Sequence, residues 1–168
     1  MMEKKNIRFL VMDVDGTLTD GKIYMGQDGE LFKAFDIKDG CGIKDVLPTI
    51  GIIPIIITAR VSRIVENRCK ELGITELHQG CRAKLDKLNE ILKEYGKREK
   101  RVYSLTNVAY IGDDILDLQC MKPIKENGGI TACPADAVGE VLAVAEYICK
   151  KNAGNGAVRE LINLIQGN

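Results

Sequence analysis

Two acidic groups in this sequence have the composition and spacing of a cation site. Asp13-Val14-Asp15-Gly16-Thr17 places two carboxylates one residue apart after an apolar run, and Gly16 permits a sharp turn there. Gly112-Asp113-Asp114, with Asp117, also follows an apolar run. Carboxylates clustered in this way repel one another unless a cation lies among them, and hard oxygen ligands suit Mg²⁺. The two groups therefore predict a magnesium site, provided that the fold brings them together.

Each of these residues also has a simpler explanation. An Asp-x-Asp pair often caps a helix, and Asp114 or Asp117 could do the same. Thr58 ends an isoleucine-rich run and Lys84 opens a predicted helix, so in isolation they are structural and solvated residues. All four features nevertheless fall at the start or end of an element, in the order Asp-x-Asp, Thr, Lys, Gly-Asp-Asp. This order favours a phosphate site in which Thr58 binds a phosphate oxygen and Lys84 neutralises its charge.

The elements that must position these residues alternate between strands and helices. Apolar runs predict strands over Ile7–Met12, Ile52–Ile57 and Val108–Ile111, covered on both faces as parallel sheets require. Such alternation indicates an α/β fold, and in open parallel sheets ligands bind at the carboxyl ends of the strands. Helices are predicted, with Ser62 as the N-cap of the second, over Gly42–Leu47, Ser62–Leu72, Ala83–Tyr95 and Ala157–Ile165.

Three segments depart from this alternation. Gly21–Phe35 contains Gly26-Gln27-Asp28-Gly29 between two short apolar stretches, which predicts a β-hairpin inserted after the first strand. The charged stretch Lys97–Thr106 is most simply a solvated loop. The tail from 152 to 168 combines a glycine-containing loop with a short amphipathic helix. The short intervals leave no room for a cap domain, and 168 residues fit a single domain, 1–168.

Composition narrows the function classes. Lys plus Arg equals Asp plus Glu at 24 each, so no overall field attracts nucleic acid or an anionic membrane. The first apolar run is too short for a secretory core or a membrane span. The six cysteines are scattered without close pairs, and His78 is the single histidine, so reduced thiols in a cytoplasm are expected and a zinc site is not.

The set of motifs resembles the haloacid dehalogenase-like phosphatases, whose signature is DxDGT, a Ser or Thr, a Lys and a GDD-type motif in that order. The resemblance implies a Rossmann-like doubly wound parallel sheet flanked by helices. It implies that Asp13 is the nucleophile that forms an aspartyl-phosphate and that Asp15 is the general acid and then the base. Thr58 and Lys84 would complete the catalytic set. Mg²⁺ would be held by Asp13, the Asp15 backbone carbonyl and Asp113, with Asp114 and Asp117 in support.

Over nearly its full length the chain resembles the capless branch typified by 3-deoxy-D-manno-octulosonate 8-phosphate phosphatases, through DVDGTLTDGKIY, FDIKDGCGI, IITARVS, ENRCKELGI, HQGCRAKL, AYIGDDILDL and GNGAVRE. This resemblance implies hydrolysis of that sugar-acid phosphate in lipopolysaccharide biosynthesis. It also implies a homotetramer in which the hairpins form a central barrel and the tail reaches a neighbour's site. The implied substrate contacts are Asp15, Asp36, Ile37, Lys38, Asp39, Gly40, Lys44, Thr58, Ala59, Arg60, Arg68 and Lys84.

Alternatives remain at this point. A related branch that acts on keto-deoxynononate or N-acylneuraminate 9-phosphate carries an acidic residue at the position of Arg60, so the arginine favours the eight-carbon acid. Ala59 replaces the family's usual glycine, and the tail has a reduced glycine cluster. A phospho-accepting receiver domain also uses acids, a threonine and a lysine, although there the phosphorylated aspartate lies on a later strand. The remaining alternative is a catalytically silent domain that serves oligomer assembly.

Overall fold

The computed structural model describes residues 6–167 and contains a parallel sheet, a separate hairpin and flanking helices. In chain order the strands are β1 (Phe9–Met12), β2 (Tyr24–Gly26), β3 (Gly29–Phe32), β4 (Ile53–Ile57), β5 (Glu76–His78), β6 (Val108–Ile111), β7 (Ile130–Cys133) and β8 (Tyr147–Ile148). The helices are α1 (Ile37–Cys41), α2 (Arg63–Leu72), α3 (Lys84–Glu99), α4 (Leu118–Glu126), α5 (Gly139–Val144) and α6 (Ala157–Gln166). A π-helical turn covers Gly42–Val46, and 3₁₀ turns cover Leu47–Ile50, Leu105–Asn107 and Ile115–Asp117.

Within the described residues the main sheet has six parallel strands in the order β5-β4-β1-β6-β7-β8. β1 is central, and all four of its side chains are apolar and fully buried, as a strand covered on both faces requires. Leu10 and Met12 enter the core on one face, whereas Phe9 and Val11 enter the core on the other. Since β4 and β6 pair with β1 in parallel, the residues that follow these three strands leave the sheet at one edge.

The structure confirms the predicted α/β class and the three predicted strands, with small changes at their ends. β1 begins at Phe9 instead of Ile7 and β4 begins at Ile53 instead of Ile52, while β6 matches its prediction. The predicted hairpin is present as β2 and β3, which pair antiparallel around Gly26 and Gly29. Between β1 and α1 the described chain adds this hairpin as its only sheet element.

Three local predictions are confirmed only in part. The predicted helix Gly42–Leu47 is instead a π-helical turn that continues α1 and passes into a 3₁₀ turn. α3 continues through Lys97 to Glu99, so the predicted loop begins only at Lys100, whose left-handed backbone ends the helix. Ser62 occupies the N-cap position of α2 but makes no capping hydrogen bond, because its hydroxyl donates to Glu30 Oε2 at 2.6 Å.

Candidate active site

Asp13 and Lys84 form a buried ion pair at the carboxyl edge of the sheet. Asp13 directly follows β1, and its Oδ2 lies 3.1 Å from Lys84 Nζ, on the first residue of α3. The Lys84 side chain is 1% exposed, and although burial opposes it, the carboxylates of Asp117 and Asp13 raise the pKa of Lys84. Asp13 Oδ1 is buried and has no hydrogen-bond partner among the described residues. Lys84 is therefore a buried ammonium group beside a carboxylate with one unpartnered oxygen.

Asp113 brings the second acidic group to the same place. It follows β6, the neighbour of β1, and its Oδ1 accepts a hydrogen bond from the Thr17 hydroxyl at 2.9 Å. Gly16, at φ +89°, lets the carboxylate approach, because a Cβ there would lie 2.0 Å from Asp113 Oδ2. Burial and the Asp117 carboxylate raise the pKa of Asp113 to about 7. Burial and Asp117 likewise raise the pKa of Asp13 to about 6, against the effect of Lys84.

Asp117 organises the other charged groups and is saturated with donors. Its Oδ1 accepts from Lys84 Nζ and from the Tyr110 hydroxyl, each at 2.7 Å. Its Oδ2 accepts from the backbone N–H groups of Asp113 at 3.0 Å and Asp114 at 3.1 Å. Asp117 therefore fixes Lys84 and the Gly-Asp-Asp turn. Asp114 is exposed and caps the short 3₁₀ turn that follows, accepting from Ile115 N at 2.6 Å.

The site has the donor set of a divalent cation. Within the described residues, one carboxylate oxygen each from Asp13, Asp113 and Asp117 lie within 4.8 Å of one another. Asp117 already accepts four hydrogen bonds from its neighbours, so Asp13 and Asp113 are the members of this group with capacity for an ion. The unpartnered Asp13 oxygen and the raised pKa of both acids are the features that a cation would relieve.

Asp15 lies in a different environment from Asp13. The Val14 carbonyl accepts from the N–H groups of Thr17, Leu18 and Thr19, which turns the chain directly after Asp15. The Asp15 carboxylate forms a short ion pair with Lys33 Nζ, from the residue that follows β3, and its Oδ2 lies 3.6 Å from Arg60 Nε. Asp15 is thus paired with two cations, one from the hairpin and one from the loop after β4.

Thr58 leaves β4 at the same edge as Asp13, and the backbone holds it firmly. Its N–H donates to the His78 carbonyl at 3.0 Å and its carbonyl accepts from Cys81 N at 2.9 Å. Ala59 is half-buried, and Arg60 follows with an exposed side chain. The neighbouring strands β4, β1 and β6 end at one edge of the sheet, and Lys84 reaches Asp13 there directly. Five of the predicted positions therefore lie at this edge: Asp13, Asp15, Thr58, Lys84 and Asp113.

Comparison with known proteins identifies the family. The sequence is 43% identical over 165 residues to 3-deoxy-D-manno-octulosonate 8-phosphate phosphatase KdsC of Escherichia coli, covering 98% of this chain and 82% of that protein. The chain belongs to the 3-deoxy-D-manno-octulosonate 8-phosphate phosphatase family. Protein-family models gave no match to the sequence. Family membership makes this chain a phosphatase.

Solved structures agree with this phosphatase assignment. The 3-deoxy-D-manno-octulosonate 8-phosphate phosphatase of Moraxella catarrhalis, in complex with magnesium, phosphate and the sugar acid, superposes with a TM-score of 0.87 at 40% identity, covering 98% of this chain and 88% of that one. A candidate HAD superfamily (subfamily III A) hydrolase from Legionella pneumophila superposes with a TM-score of 0.86 at 35% identity, covering 98% and 84% of the two chains. The haloacid dehalogenase-like fold of this phosphatase is thereby established.

The other predicted substrate residues form a second group on the phosphatase, around α1. Ile37 is 81% exposed, and Lys38 and Lys44 are exposed. Asp36 caps α1 by accepting from Lys38 N at 2.6 Å. Arg68 lies over the Phe35 ring at 5.6 Å and donates to Glu71 Oε2 at 2.8 Å.

Two members of this second group pack inside the chain. Asp39 is 1% exposed, and its Oδ1 accepts from Arg159 N at 2.7 Å. This contact assigns Asp39 to the attachment of α6. Gly40 contacts Arg68 so closely that a Cβ there would lie 2.3 Å from Arg68 Nη2.

The tail of the phosphatase contacts its own signature loop. Gly154 N donates to the Thr17 carbonyl at 3.1 Å, and a Cβ on Gly154 would lie 2.6 Å from Asp20 N. Ala153 N donates to Asp136 Oδ1 at 2.8 Å. Gly154 therefore supports the Asp13–Thr17 loop from within the chain.

Several residues at the site did not emerge from the sequence. Tyr110 is fully buried within an apolar strand, and only its hydroxyl, which needs a partner, could have signalled its bond to Asp117. Thr17 belongs to the signature but had no predicted contact. Glu30 and Lys33 are charged residues of the predicted hairpin, and in a sequence such residues indicate solvent-exposed positions. No local pattern in the sequence indicates that they reach Asp15.

Proposed function

We propose that this phosphatase hydrolyses 3-deoxy-D-manno-octulosonate 8-phosphate to the free sugar acid and phosphate, with Mg²⁺ as cofactor, within lipopolysaccharide biosynthesis. The observation that carries the proposal is the buried Asp13–Lys84 pair beside Asp113, at the edge where β1, β4 and β6 end. The similarity to the Escherichia coli phosphatase supports the substrate. The similarity to the Moraxella catarrhalis phosphatase, whose structure contains magnesium, supports the metal.

In the proposed reaction a carboxylate oxygen of Asp13 attacks phosphorus, and the bond from phosphorus to the sugar oxygen breaks. Asp15 enters this step as the carboxylic acid and gives its proton to the leaving alkoxide, which leaves the carboxylate that pairs with Lys33. Asp15 then takes a proton from water as that water attacks phosphorus, which frees phosphate and restores Asp13. Lys84 offsets charge on the phosphoryl group throughout, and Thr58 donates a hydrogen bond to one of its oxygens.

Mg²⁺ would be held by Asp13, the backbone carbonyl of Asp15 and Asp113. When bound, it supplies positive charge against the phosphoryl oxygens and favours the ionised form of Asp13. Asp117 keeps Lys84 and Asp113 in place, which lets a compact site carry several carboxylates and one ammonium.

Arg60 is the proposed contact for the substrate's carboxylate. Its side chain is 47% exposed and lies between Asp15 and Glu30 at 3.6 and 3.5 Å, so that an incoming carboxylate can replace these long contacts. The accessible members of the second group around α1 are proposed to bind the sugar, namely Asp36, Ile37, Lys38, Lys44 and Arg68, whereas Asp39 and Gly40 pack inside the chain. Ala59 and Thr58 would line the phosphate end.

We also propose that the chain acts as a cytoplasmic homotetramer and that residues 1–168 form one domain. The hairpin exposes a group of apolar side chains suited to an interface, Ile23, Met25, Leu31 and Phe32.

All of the cysteines lie within the described residues as free thiols, which suits a reducing compartment. Elements from both ends of the chain share one core, because Met12 of β1 and Val158 of α6 lie in the same hydrophobic cluster. The structure has no helix of the length and apolarity needed to cross a membrane within residues 6–167.

The test is a comparison of sugar-acid phosphates with the wild-type enzyme and Asp13→Asn. We expect the eight-carbon 8-phosphate to exceed keto-deoxynononate and N-acylneuraminate 9-phosphates in kcat/KM, and EDTA to abolish turnover until Mg²⁺ is restored. Asp13→Asn should lower kcat by at least about 10³-fold while its circular dichroism spectrum stays unchanged. Faster turnover of a nine-carbon substrate would reject the substrate, and an active Asp13→Asn would reject the nucleophile.

A further inference from the structure

A closed group of alternating charges surrounds Asp15. Lys33 Nζ contacts one Asp15 oxygen and lies 2.9 Å from Glu30 Oε1. Arg60 reaches the same two carboxylates, with Nε 3.6 Å from Asp15 Oδ2 and Nη2 3.5 Å from Glu30 Oε1. Two cations and two carboxylates thus alternate around one ring.

The two cations of this ring differ in exposure. The Lys33 side chain is 1% exposed, whereas that of Arg60 is 47% exposed. The Lys33 ammonium is enclosed by the Asp15 and Glu30 carboxylates, which balance its charge. A buried ammonium enclosed by two carboxylates has no surface for a substrate. Lys33 is therefore a fixed member of the ring, and Arg60 is an exchangeable one.

Glu30 ties this ring to the sheet. Its Oε2 accepts from the Ser62 hydroxyl at 2.6 Å, and Ser62 N donates to Gln79 Oε1 at 2.8 Å. The loops after β4 and β5 thus hold Glu30. Since burying a lone ammonium is costly, Lys33 takes its place only because Glu30 balances its charge beside Asp15.

We propose that Lys33 is a positioning residue for the reaction: braced by Glu30, it fixes the Asp15 carboxyl where the leaving alcohol departs and leaves Arg60 free to bind the substrate's carboxylate. This inference rests on the proposed function, because Asp15 acts as the general acid only there. It assigns a part in the chemistry to the hairpin of the same chain.

The experiment uses the dependence of rate on the leaving group. The sugar alkoxide needs a proton from Asp15, whereas 4-nitrophenolate is a good leaving group that needs little help. Lys33→Met should lower kcat for the sugar-acid phosphate by about 10- to 100-fold with little change in KM, and lower kcat for 4-nitrophenyl phosphate by less than about threefold. Lys33→Arg, which keeps the charge, should recover part of the loss. Lys22→Met is the matched control, since the Lys22 side chain is on the same hairpin but 74% exposed.

Equal losses on both substrates in Lys33→Met would overturn the inference, because a general loss of structure has that effect. Asp15→Asn separates this failure from a failure of the proposed function. If Asp15→Asn shows no leaving-group dependence, Asp15 is not the acid and the proposed function fails. If Asp15→Asn shows the leaving-group dependence and Lys33→Met does not, the proposed function stands and only the positioning role of Lys33 is rejected. Should Lys33→Met not fold, Glu30→Gln applies the same test: it removes the balancing charge, keeps an acceptor for Ser62, and must show the same leaving-group dependence in smaller measure.

Discussion

At the scale of single residues, the site depends on groups that approach one another more closely than ordinary side chains allow. Gly16 is the clearest case. Its φ of +89° disfavours any side chain, and the space that a Cβ would need is taken by the Asp113 carboxylate. That carboxylate is held from its other side by the Thr17 hydroxyl. A methyl group at residue 16 would therefore displace a proposed metal ligand.

Gly16→Ala should consequently weaken Mg²⁺ binding beyond the cost of backbone strain. Gly73→Ala is the matched control, because Gly73 has φ +73° with nothing within 4 Å of an added Cβ. Both variants should lose about 1–2 kcal/mol of unfolding free energy from the left-handed backbone. Only Gly16→Ala should also lose Mg²⁺ affinity, by about tenfold or more, measured by isothermal titration calorimetry. Equal Mg²⁺ affinities in the two variants would show that Asp113 adapts or does not bind the ion.

The extent to which the site could be predicted differs between its residues. Asp13, Thr58, Lys84 and Asp113 each stand at the end or start of an element, so a parallel sheet brings them together once the strands are known. Lys33 is different. Its pairing with Asp15 depends on how the hairpin folds over the edge of the sheet. That position is set by contacts between residues distant in sequence, which a local sequence pattern does not show.

At the scale of elements, Asp39 links two helices that are distant in sequence. It lies on α1, is buried, and accepts from Arg159 N in the first turn of α6. Its Oδ2 is buried without a hydrogen-bond partner among the described residues. Burial, with a smaller contribution from Asp36, raises the pKa of Asp39 to about 6, against the effect of the Arg159 N–H. The attachment of α6 should therefore depend on pH.

The sign follows from the raised pKa. Because the folded state holds the Asp39 proton up to a pH of about 6 and the unfolded chain only up to about 3.8, the folded state loses stability as the pH rises through that window. The loss amounts to roughly 2–3 kcal/mol. Asp39→Asn cannot titrate but still accepts from Arg159 N. The unfolding free energy of wild type minus that of Asp39→Asn, from urea titrations, should fall by this amount between pH 4 and pH 7. A constant difference would contradict the assignment.

Which elements could be predicted depends on where each lies in the sheet. Central strands are covered on both faces, so β1, β4 and β6 are nearly continuous apolar runs that the sequence displays. β7 is also interior and buried, but Thr131 interrupts its short apolar run, and it was not predicted. The edge strands β5 and β8 have three and two residues, too few to show a period. The prediction ended α3 at Tyr95 because a charged stretch begins at Lys97. Charged residues are nevertheless good helix formers, so α3 continues to Glu99 and ends at the left-handed backbone of Lys100.

At the scale of the whole molecule, the hairpin is set apart because its two strands do not pair with the main sheet, and its position therefore needs another explanation. A two-stranded hairpin is marginal by itself, and this one has a stacked Tyr24–Phe32 pair with ring centroids 4.3 Å apart. Glu30 and Lys33 face the site, whereas Met25, Leu31 and Phe32 are exposed. A hairpin that is bound to the active site on one side and apolar on the other would connect assembly to catalysis, provided that the proposed tetramer forms through it.

Leu31→Glu tests this connection, because it places a charge on the apolar side of the hairpin where Leu31 is 64% exposed. We expect smaller species in sedimentation velocity, since an unpaired charge in a hydrophobic interface is costly, together with a lower kcat because Glu30 and Lys33 become less well ordered. Val102→Glu is the control, since Val102 is 94% exposed in the loop after α3 and should leave both mass and rate unchanged. If Leu31→Glu sediments as wild type, the interface lies elsewhere. If it dissociates with full activity, the hairpin keeps Asp15 in place without help from a neighbouring chain.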